Sequence, residues 1–323
     1  MPAVSVIIPV YNVEPYIARC ARSLFGQTLQ DLEYIFVDDC TPDRSMQIVM
    51  EVLEEYQQWK AHVKIVKTPM NGGLARARLA GVAVATGDYI IHCDSDDEVE
   101  TDAYRQMYEK AIAEDLDIVT CNFQLLGLKK QRIQSQVSLP GREIADILSG
   151  KVYGTVWCRM CRRGIWNDIM LPKGGDMWED VVFSVQTISR AARIGYVTTP
   201  LYIYYRRESS MCFEEGLSAA LKRWSSQCVN IQQVLDFISR KDSVRVELGD
   251  IVMFKYRARY PLFPYVQIPD CYQKWRETFP EIDAMFLGTK GISLEIKFWF
   301  VLIHLHLYYP WKCFTGLFRK VFA

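Results

Sequence analysis

Residues 89–100 read YIIHCDSDDEVE, an apolar strand running straight into four acids within five residues: Asp94, Asp96, Asp97 and Glu98. A strand ending in such a turn aims hard oxygen ligands beyond the carboxyl edge of a sheet. Like charges this close repel, and at least one shifts toward its protonated form unless a cation sits among them. A divalent metal is the expected cation. Aspartates at i and i+2 suit Mg²⁺ or Mn²⁺, which bind through one or two carboxylates, water and substrate phosphates. An EF-hand does not fit, because Val99 stands where that loop needs glycine. The plain alternative is a solvated acidic turn capping the next helix.

Outward from this stretch the first 120 or so residues alternate. Short runs rich in Val and Ile lie at 4–10, 32–37, 63–66, 89–91 and 118–121. Between them, helical spacing covers roughly 15–25, 43–59, 74–85 and 102–114. Asp43 can cap the second helix and Gly87 can end the third. This alternation predicts a doubly wound, mostly parallel α/β sheet with flanking helices. Ligands bind such sheets beyond the carboxyl ends of the strands, where Asp38-Asp39 and the 94–98 acids both fall. Beyond residue 125 the pattern blurs. Residues 127–144 read as a loop or a short strand pair, and 144–166 as partly helical. A helix is expected at about 180–192, a strand at 196–198 and a further helix at 217–241. The organisation read here is a catalytic domain at 1–215 and a helical C-terminal extension at 216–323.

The 323 residues are 50% hydrophobic and carry 38 basic against 38 acidic side chains, so no global field favours nucleic acid, and none is expected as a partner. The 10 cysteines fall irregularly, several within apolar runs, which fits buried thiols in a reducing cytoplasm. Cys158 and Cys161 form a lone CxxC with no second pair at zinc spacing, and read as structural. His304 and His306 lie two apart and read as core or interface residues. MPAVSVIIPVYN lacks a basic region and Pro9 breaks its apolar run, so it reads as a first strand and not as a signal peptide. The last stretch, 298–322, is apolar and aromatic with Lys312, Arg319 and Lys320 near its end. Its uncharged run is shorter than the about 20 residues needed to span a bilayer. It suits either an interfacial membrane contact, which the trailing cations favour, or a helix packed on the catalytic domain.

Three further motifs bear on chemistry. After the first strand, PVYN offers Tyr11 as a stacking ring, and an Asp at the end of the second strand can accept from a base N–H. NGGLARARLAG, residues 71–81, has neither dinucleotide nor P-loop spacing, but it is a glycine turn entering a helix whose N-terminus could face phosphate. MWEDVVF, residues 177–183, opens a helix with Glu179-Asp180. The helix dipole favours acids there in any case, and a carboxylate beside a hydroxyl can serve as general base.

Taken in order and spacing, VSVIIPVYN, SLFGQTLQDLEYIFVDDCTPDRS, NGGLARARLAGVAVATGDYIIHCDSDD and WED resemble the family 2 glycosyltransferases of GT-A fold. The likeness runs over about residues 2–211 and includes PLYIYYRRESSM, 200–211, with Ser209 and Ser210 beside the donor phosphates or in a turn. It implies an inverting transfer from a nucleotide sugar, expected to be a UDP-sugar, to a saccharide or lipid-linked saccharide acceptor. It implies Mn²⁺ or Mg²⁺ as cofactor and work at the inner, cytoplasmic face of a membrane in cell-surface polysaccharide or glycolipid synthesis. Residue by residue, Pro9 and Tyr11 would border the base, Asp39 would bond uracil with Asp38 beside it, and Arg78 would lie near the nucleotide. Asp94-Ser95-Asp96 would be the DxD triplet, with Asp96 the direct metal ligand and Asp94 on the ribose or the metal's waters. Asp180 would be the catalytic base, Glu179 would orient the acceptor or its neighbours, and Trp157 would stand on the acceptor side. The chain departs from the family pattern at Cys40 (commonly Gly), at Leu79 (commonly Asn) and at Arg159-Met160-Cys161. Two rival readings are a sugar nucleotidyltransferase, whose glycine-rich lysine loop PVYNVEPY does not provide, and a catalytically silent relative that binds nucleotide or membrane.

Overall fold

In the computed structural model, which describes residues 2–127, 131–206 and 214–307, the run around Pro9 forms strand β1 (Val4–Val10) with all seven residues buried. Eight further strands follow: β2 (Leu32–Asp38), β3 (Val63–Lys67), β4 (Tyr89–His92), β5 (Glu98–Val99), β6 (Ile118–Leu126), β7 (Arg132–Gln134), β8 (Arg159–Arg162) and β9 (Ile194–Tyr205). The helices are α1 (Ile17–Phe25), α2 (Ser45–Glu54), α3 (Leu74–Val84), α4 (Ala103–Ala113), α5 (Glu143–Ser149), α6 (Glu179–Ile188), α7 (Leu217–Ile238), α8 (Leu248–Arg257), α9 (Pro269–Glu277), α10 (Asp283–Phe286) and α11 (Leu294–His304). One sheet runs β3-β2-β1-β4-β8-β6-β9-β5, with β7 on β6. Strands β1 to β4 pair in parallel, and β8 enters antiparallel between β4 and β6.

Alternation along each strand builds two apolar layers. Val4, Val6, Ile8 and Val10 face one layer with Leu24 of α1, Val49 of α2 and Met107 of α4. Ile7, Ile35 and Val37 face the other, with Ala77 of α3, Val182 of α6 and Ile231 of α7. Helix α7, which follows residue 215, thus shares the apolar layer of the sheet. Helices α8 to α11 enclose a third cluster around Tyr256, Trp275, Phe286 and Phe300.

Pro9 explains where the crevice opens. The Cys93 N–H donates to the Ile7 carbonyl at 2.9 Å, so the next β1 residue turned toward β4 is Pro9. Proline has no N–H, the ladder stops there, and the strand ends part. Strand β8 fell in a stretch expected to be partly helical. It has four residues with arginine at both ends, and its partners supply the order that its own pattern lacks. Gly87 does not end α3: the helix closes with Ala85 in an extended conformation. A side chain at residue 87 would instead meet the Ser5 nitrogen at 2.6 Å, so glycine is needed there for space.

Ser5, Glu33 and Lys64 tie the amino-terminal edge together. The buried Glu33 carboxylate accepts from Ser5 Oγ (2.5 Å), Thr86 N (2.6 Å) and Gly87 N (3.1 Å) and pairs with Lys64 (2.6 Å). Burial pushes its pKa up, but Lys64 and these hydrogen bonds outweigh burial and hold it at about 2. A depressed folded-state pKa gives stability that is present above the unfolded value, about 4.3, and lost as pH falls toward 2. Glu33→Gln should therefore be less stable than wild type at pH 7, and urea unfolding should show the gap closing between about pH 4.3 and 2. A gap independent of pH would contradict this assignment.

Candidate active site

The acids of the 94–98 turn are held by side chains from across the fold. Arg78 on α3 is fully buried, and its Nη2 lies 2.9 Å from Asp94 Oδ1, 3.3 Å from Asp180 Oδ1 and 3.7 Å from Glu179 Oε1. Burial would favour a neutral Arg78, but Asp94, Asp180 and Glu179 outweigh it and keep the guanidinium charged. Asp97 is buried and turned inward, accepting from Tyr202 Oη (2.8 Å) and Tyr205 N (2.9 Å). Burial, then the charge of Asp94, pushes its pKa well up. Glu98 pairs with Arg19 Nε at 2.8 Å, and that guanidinium lies 3.6 Å over the Tyr205 ring. Among the described residues, Arg78 and Arg19 are cations placed against these acids. Arg78, expected near the nucleotide, is fully buried and faces the carboxylates of Asp94, Asp180 and Glu179.

Asp39 stands at the end of β2, 3% exposed. Its Oδ1 accepts from Gly72 N (2.9 Å) and Thr68 Oγ1 (2.8 Å), and its Oδ2 from Gly73 N (2.9 Å). It therefore shapes the glycine turn at the start of α3. The amino end of α3, expected to face phosphate, receives Asp176, whose Oδ1 accepts from Ala75 N at 3.2 Å. Asp38 accepts from Thr41 N at 2.9 Å.

Tyr11 is 47% exposed at the mouth of the crevice. Its loop is pinned to the one after β2, with Asn12 N donating to Thr41 Oγ1 (2.8 Å) and Glu14 N to Asp43 Oδ2 (2.9 Å). Asp43 also accepts from Ser45 N (3.1 Å), and these bonds outweigh burial to lower its pKa to about 2. Cys40, where glycine is common, has φ +57°, a left-handed conformation that costs an L side chain about 1–2 kcal/mol. Cys40→Gly should leave thermal stability unchanged or raise it by up to about 1 kcal/mol, whereas Cys40→Val should lower it by about 1–2 kcal/mol.

Glu179 and Asp180 open α6, and Glu179 is 5% exposed. Burial, then the charge of Asp180, raises the Glu179 pKa well above the ordinary range. Asp180 is also raised, by burial first, with Arg78 opposing. The pair titrates as a unit, and Asp180 is the more exposed member, its side chain 17% exposed against 7% for Glu179.

Among the described residues no group of three or more Asp, Glu, His or Cys side chains is placed to hold a metal ion. Asp94 and Asp96 do supply two hard carboxylates on one turn. That set fits Mg²⁺ or Mn²⁺ completing its shell from a diphosphate and water. Ser95 is buried at 5% exposure. Trp157, expected on the acceptor side, is 4% exposed and stacks on Tyr202 at 4.1 Å, so it packs the sheet.

The sequence profile of Glycosyl transferase family 2 matches residues 5–167. The chain is a family 2 glycosyltransferase. A relative, "Uncharacterized glycosyltransferase EpsJ" of Bacillus subtilis (strain 168), is 32% identical over 222 residues, covering 65% of this chain and 63% of that protein, less than two thirds of its length. In three dimensions the glycosyltransferase is similar to S. aureus TarS 1-349 in complex with UDP-GlcNAc, with a TM-score of 0.58, 18% identity and coverage of 89% and 92%. It is also similar to the mannosyltransferase PcManGT from Pyrobaculum calidifontis in complex with GDP-Man and Mn²⁺, with a TM-score of 0.55, 16% identity and coverage of 98% and 84%. The family overturns the nucleotidyltransferase reading.

In this glycosyltransferase, then, Asp94, Glu179 and Asp180 meet around Arg78, while Tyr11, Asp38 and Asp39 line the β1–β2 side. Ser209 and Ser210 lie outside the described residues, as does the tail from residue 308. The CxxC thiols are buried and free. His304 bonds the Phe300 carbonyl (2.9 Å) and Asp283 (3.3 Å), and so belongs to the C-terminal cluster. Sequence reasoning missed Asp176, Tyr202 and Tyr205. Asp176 beside Gly-Gly was a visible turn signal, but its partner is 101 residues away.

Proposed function

We propose that this glycosyltransferase inverts the anomeric centre of a UDP-sugar while moving the sugar to a saccharide or lipid-linked saccharide hydroxyl, in cell-surface polysaccharide or glycolipid synthesis at the inner membrane face. The observation that carries the reading is the single Arg78 Nη2 between Asp94 Oδ1 (2.9 Å) and Asp180 Oδ1 (3.3 Å). It holds the donor-side acid and the acceptor-side acid in one constellation. Tyr11 stacks on the base, with Pro9 below it and the Asp39 turn shaping the pocket edge. Asp96, with Asp94, would hold a divalent ion, which would supply Lewis-acid neutralisation of the diphosphate leaving group. The acceptor oxygen bonds the anomeric carbon, the bond to the diphosphate oxygen breaks with its electron pair, and Asp180 takes the hydroxyl proton. Glu179, next to Asp180 and facing the same guanidinium, fixes its orientation.

To test this, the protein is incubated with Mn²⁺ and UDP-glucose, UDP-galactose, UDP-N-acetylglucosamine or GDP-mannose, and nucleoside diphosphate release is followed. Release of UDP that stops with chelator is expected. Release of GDP alone, or of nothing from any donor, overturns the UDP-sugar reading.

The membrane part of the proposal rests on α11. Trp299, Phe300 and Ile303 are buried on one side, while Leu294 is 84%, Phe298 45% and the following Leu305 59% exposed. No helix among the described residues is long and apolar enough to cross a membrane. Such an edge suits an interfacial contact. Leu294→Glu with Phe298→Glu should abolish co-sedimentation with phosphatidylglycerol vesicles, and unchanged binding would remove α11 from the contact.

A further inference from the structure

The loop leading into Glu179-Asp180, residues 171–178, lies against α7, in the region after residue 215. Asn230 of α7 is 1% exposed. Its Oδ1 accepts from Gly174 N (2.7 Å), and its Nδ2 donates to Met177 O (2.8 Å) and Gly175 O (3.3 Å). One turn on, Gln233 is 8% exposed, with Oε1 accepting from Lys173 N (2.8 Å) and Nε2 donating to Leu171 O (3.0 Å). Residues three apart share a helix face, so two amides serve five backbone groups of one loop. Contact is close enough that a side chain at Gly174 would meet the Ser226 carbonyl at 2.2 Å. On its far side the loop is held by Asp176 on α3. At its end Trp178 adopts φ +65°, stacked on Phe254 of α8 at 5.7 Å and under the Arg257 guanidinium at 4.6 Å. A tryptophan keeps such a conformation only where its surroundings over-determine it, and such residues cluster at functional sites.

We propose that Asn230 and Gln233 are positioning residues of the transfer reaction: α7 fixes the loop that presents Asp180, and the helical extension is a working part of the active site. The proposal rests on Asp180 being the base. Neither amide touches substrate. Each acts by setting where the α6 start sits, and a misplacement of about 1 Å at a reacting group can cost about 10²-fold in rate.

The test uses the full chain carrying Asn230→Ala, and Gln233→Ala as the milder variant should the first fail to fold. Two readouts are taken: backbone amide exchange at residues 173–182, and UDP release with Mn²⁺ from UDP-glucose and UDP-N-acetylglucosamine. Expected are faster exchange at 173–177, kcat lowered by about 10–10²-fold, and UDP affinity unchanged within about twofold. In an Asp180→Asn background the rate effect of Asn230→Ala should vanish, because residues acting as a unit are not additive. Unchanged exchange at 173–177 overturns the clamp, whatever the activity. Undiminished kcat with faster exchange overturns the positioning role, as does an equal rate loss in both backgrounds. If Asp180→Asn alone keeps the wild-type rate, the base assignment has failed instead, and the exchange result separates the two.

Discussion

Asp180→Asn should lower transfer by about 10²–10⁴-fold in kcat while leaving UDP affinity and the unfolding midpoint close to wild type. The amide keeps the shape of the side chain but cannot take the proton from the acceptor hydroxyl. The residual rate reflects binding and leaving-group stabilisation, which the substitution spares. The pH dependence carries a sign. Burial, partly offset by Arg78, raises the Asp180 pKa above the ordinary carboxylate value. The base works only when deprotonated, so kcat should rise with pH through a midpoint above about 3.9. That midpoint belongs to the Glu179–Asp180 pair and not to one residue. The acid limb should be absent in Asp180→Asn. An Asp180→Asn enzyme with wild-type kcat, or one that retains the acid limb, would remove Asp180 from the base role.

Arg78→Met should cost about 3–5 kcal/mol at neutral pH, the usual penalty for removing one partner of a buried ion pair. Methionine fills much of the same space, so the loss is electrostatic and not a cavity. Without the guanidinium, Asp94, Glu179 and Asp180 face one another with no cation of the protein among them. Burial already raises the Glu179 and Asp180 pKa values, and losing the opposing charge of Arg78 raises them further above those of the unfolded chain. Groups raised in the folded state stabilise it below the unfolded value and lose that contribution as pH rises through the folded one. The stability gap between Arg78→Met and wild type should therefore be wide at pH 8 and narrow at pH 5, measured by urea unfolding. On the proposed roles of Asp94 and Asp180, activity should fall with it, because the two acids lose their common anchor. Arg78→Lys should recover part of the stability, since an ammonium keeps the charge but not the planar fork. A gap that does not change with pH would mean that Arg78 acts through packing alone.

Much of the parallel half was legible because its signals are local. Five Val- and Ile-rich runs at even spacing mark β1 to β4 and the start of β6, and polar breaks bound each helix between them. The acid turn was legible as a cluster, since Asp94, Asp96, Asp97 and Glu98 fall within five residues. What cancels their charges was not legible. Arg78 reads from sequence as one of two arginines on an amphipathic helix, and only packing of α3 on β1 and β2 buries it against residues 16 and about 100 positions away. Strand β8 was hidden because four residues carry no periodicity, and its order comes from β4 and β6. Asn230 and Gln233 read as polar positions on an ordinary helix. Nothing local says that the polar face of α7 meets a loop more than 50 residues earlier.

The most direct test of the account is calorimetric titration of UDP into the protein with and without Mn²⁺, repeated with Asp96→Ala. The account predicts binding that requires the metal and is lost in Asp96→Ala, while Asp180→Asn binds as wild type. Binding of UDP that is indifferent to both metal and Asp96 would contradict the assignment of the 94–96 turn as the donor site. No binding at all would contradict the reading of Tyr11 and the Asp39 turn as a uracil pocket.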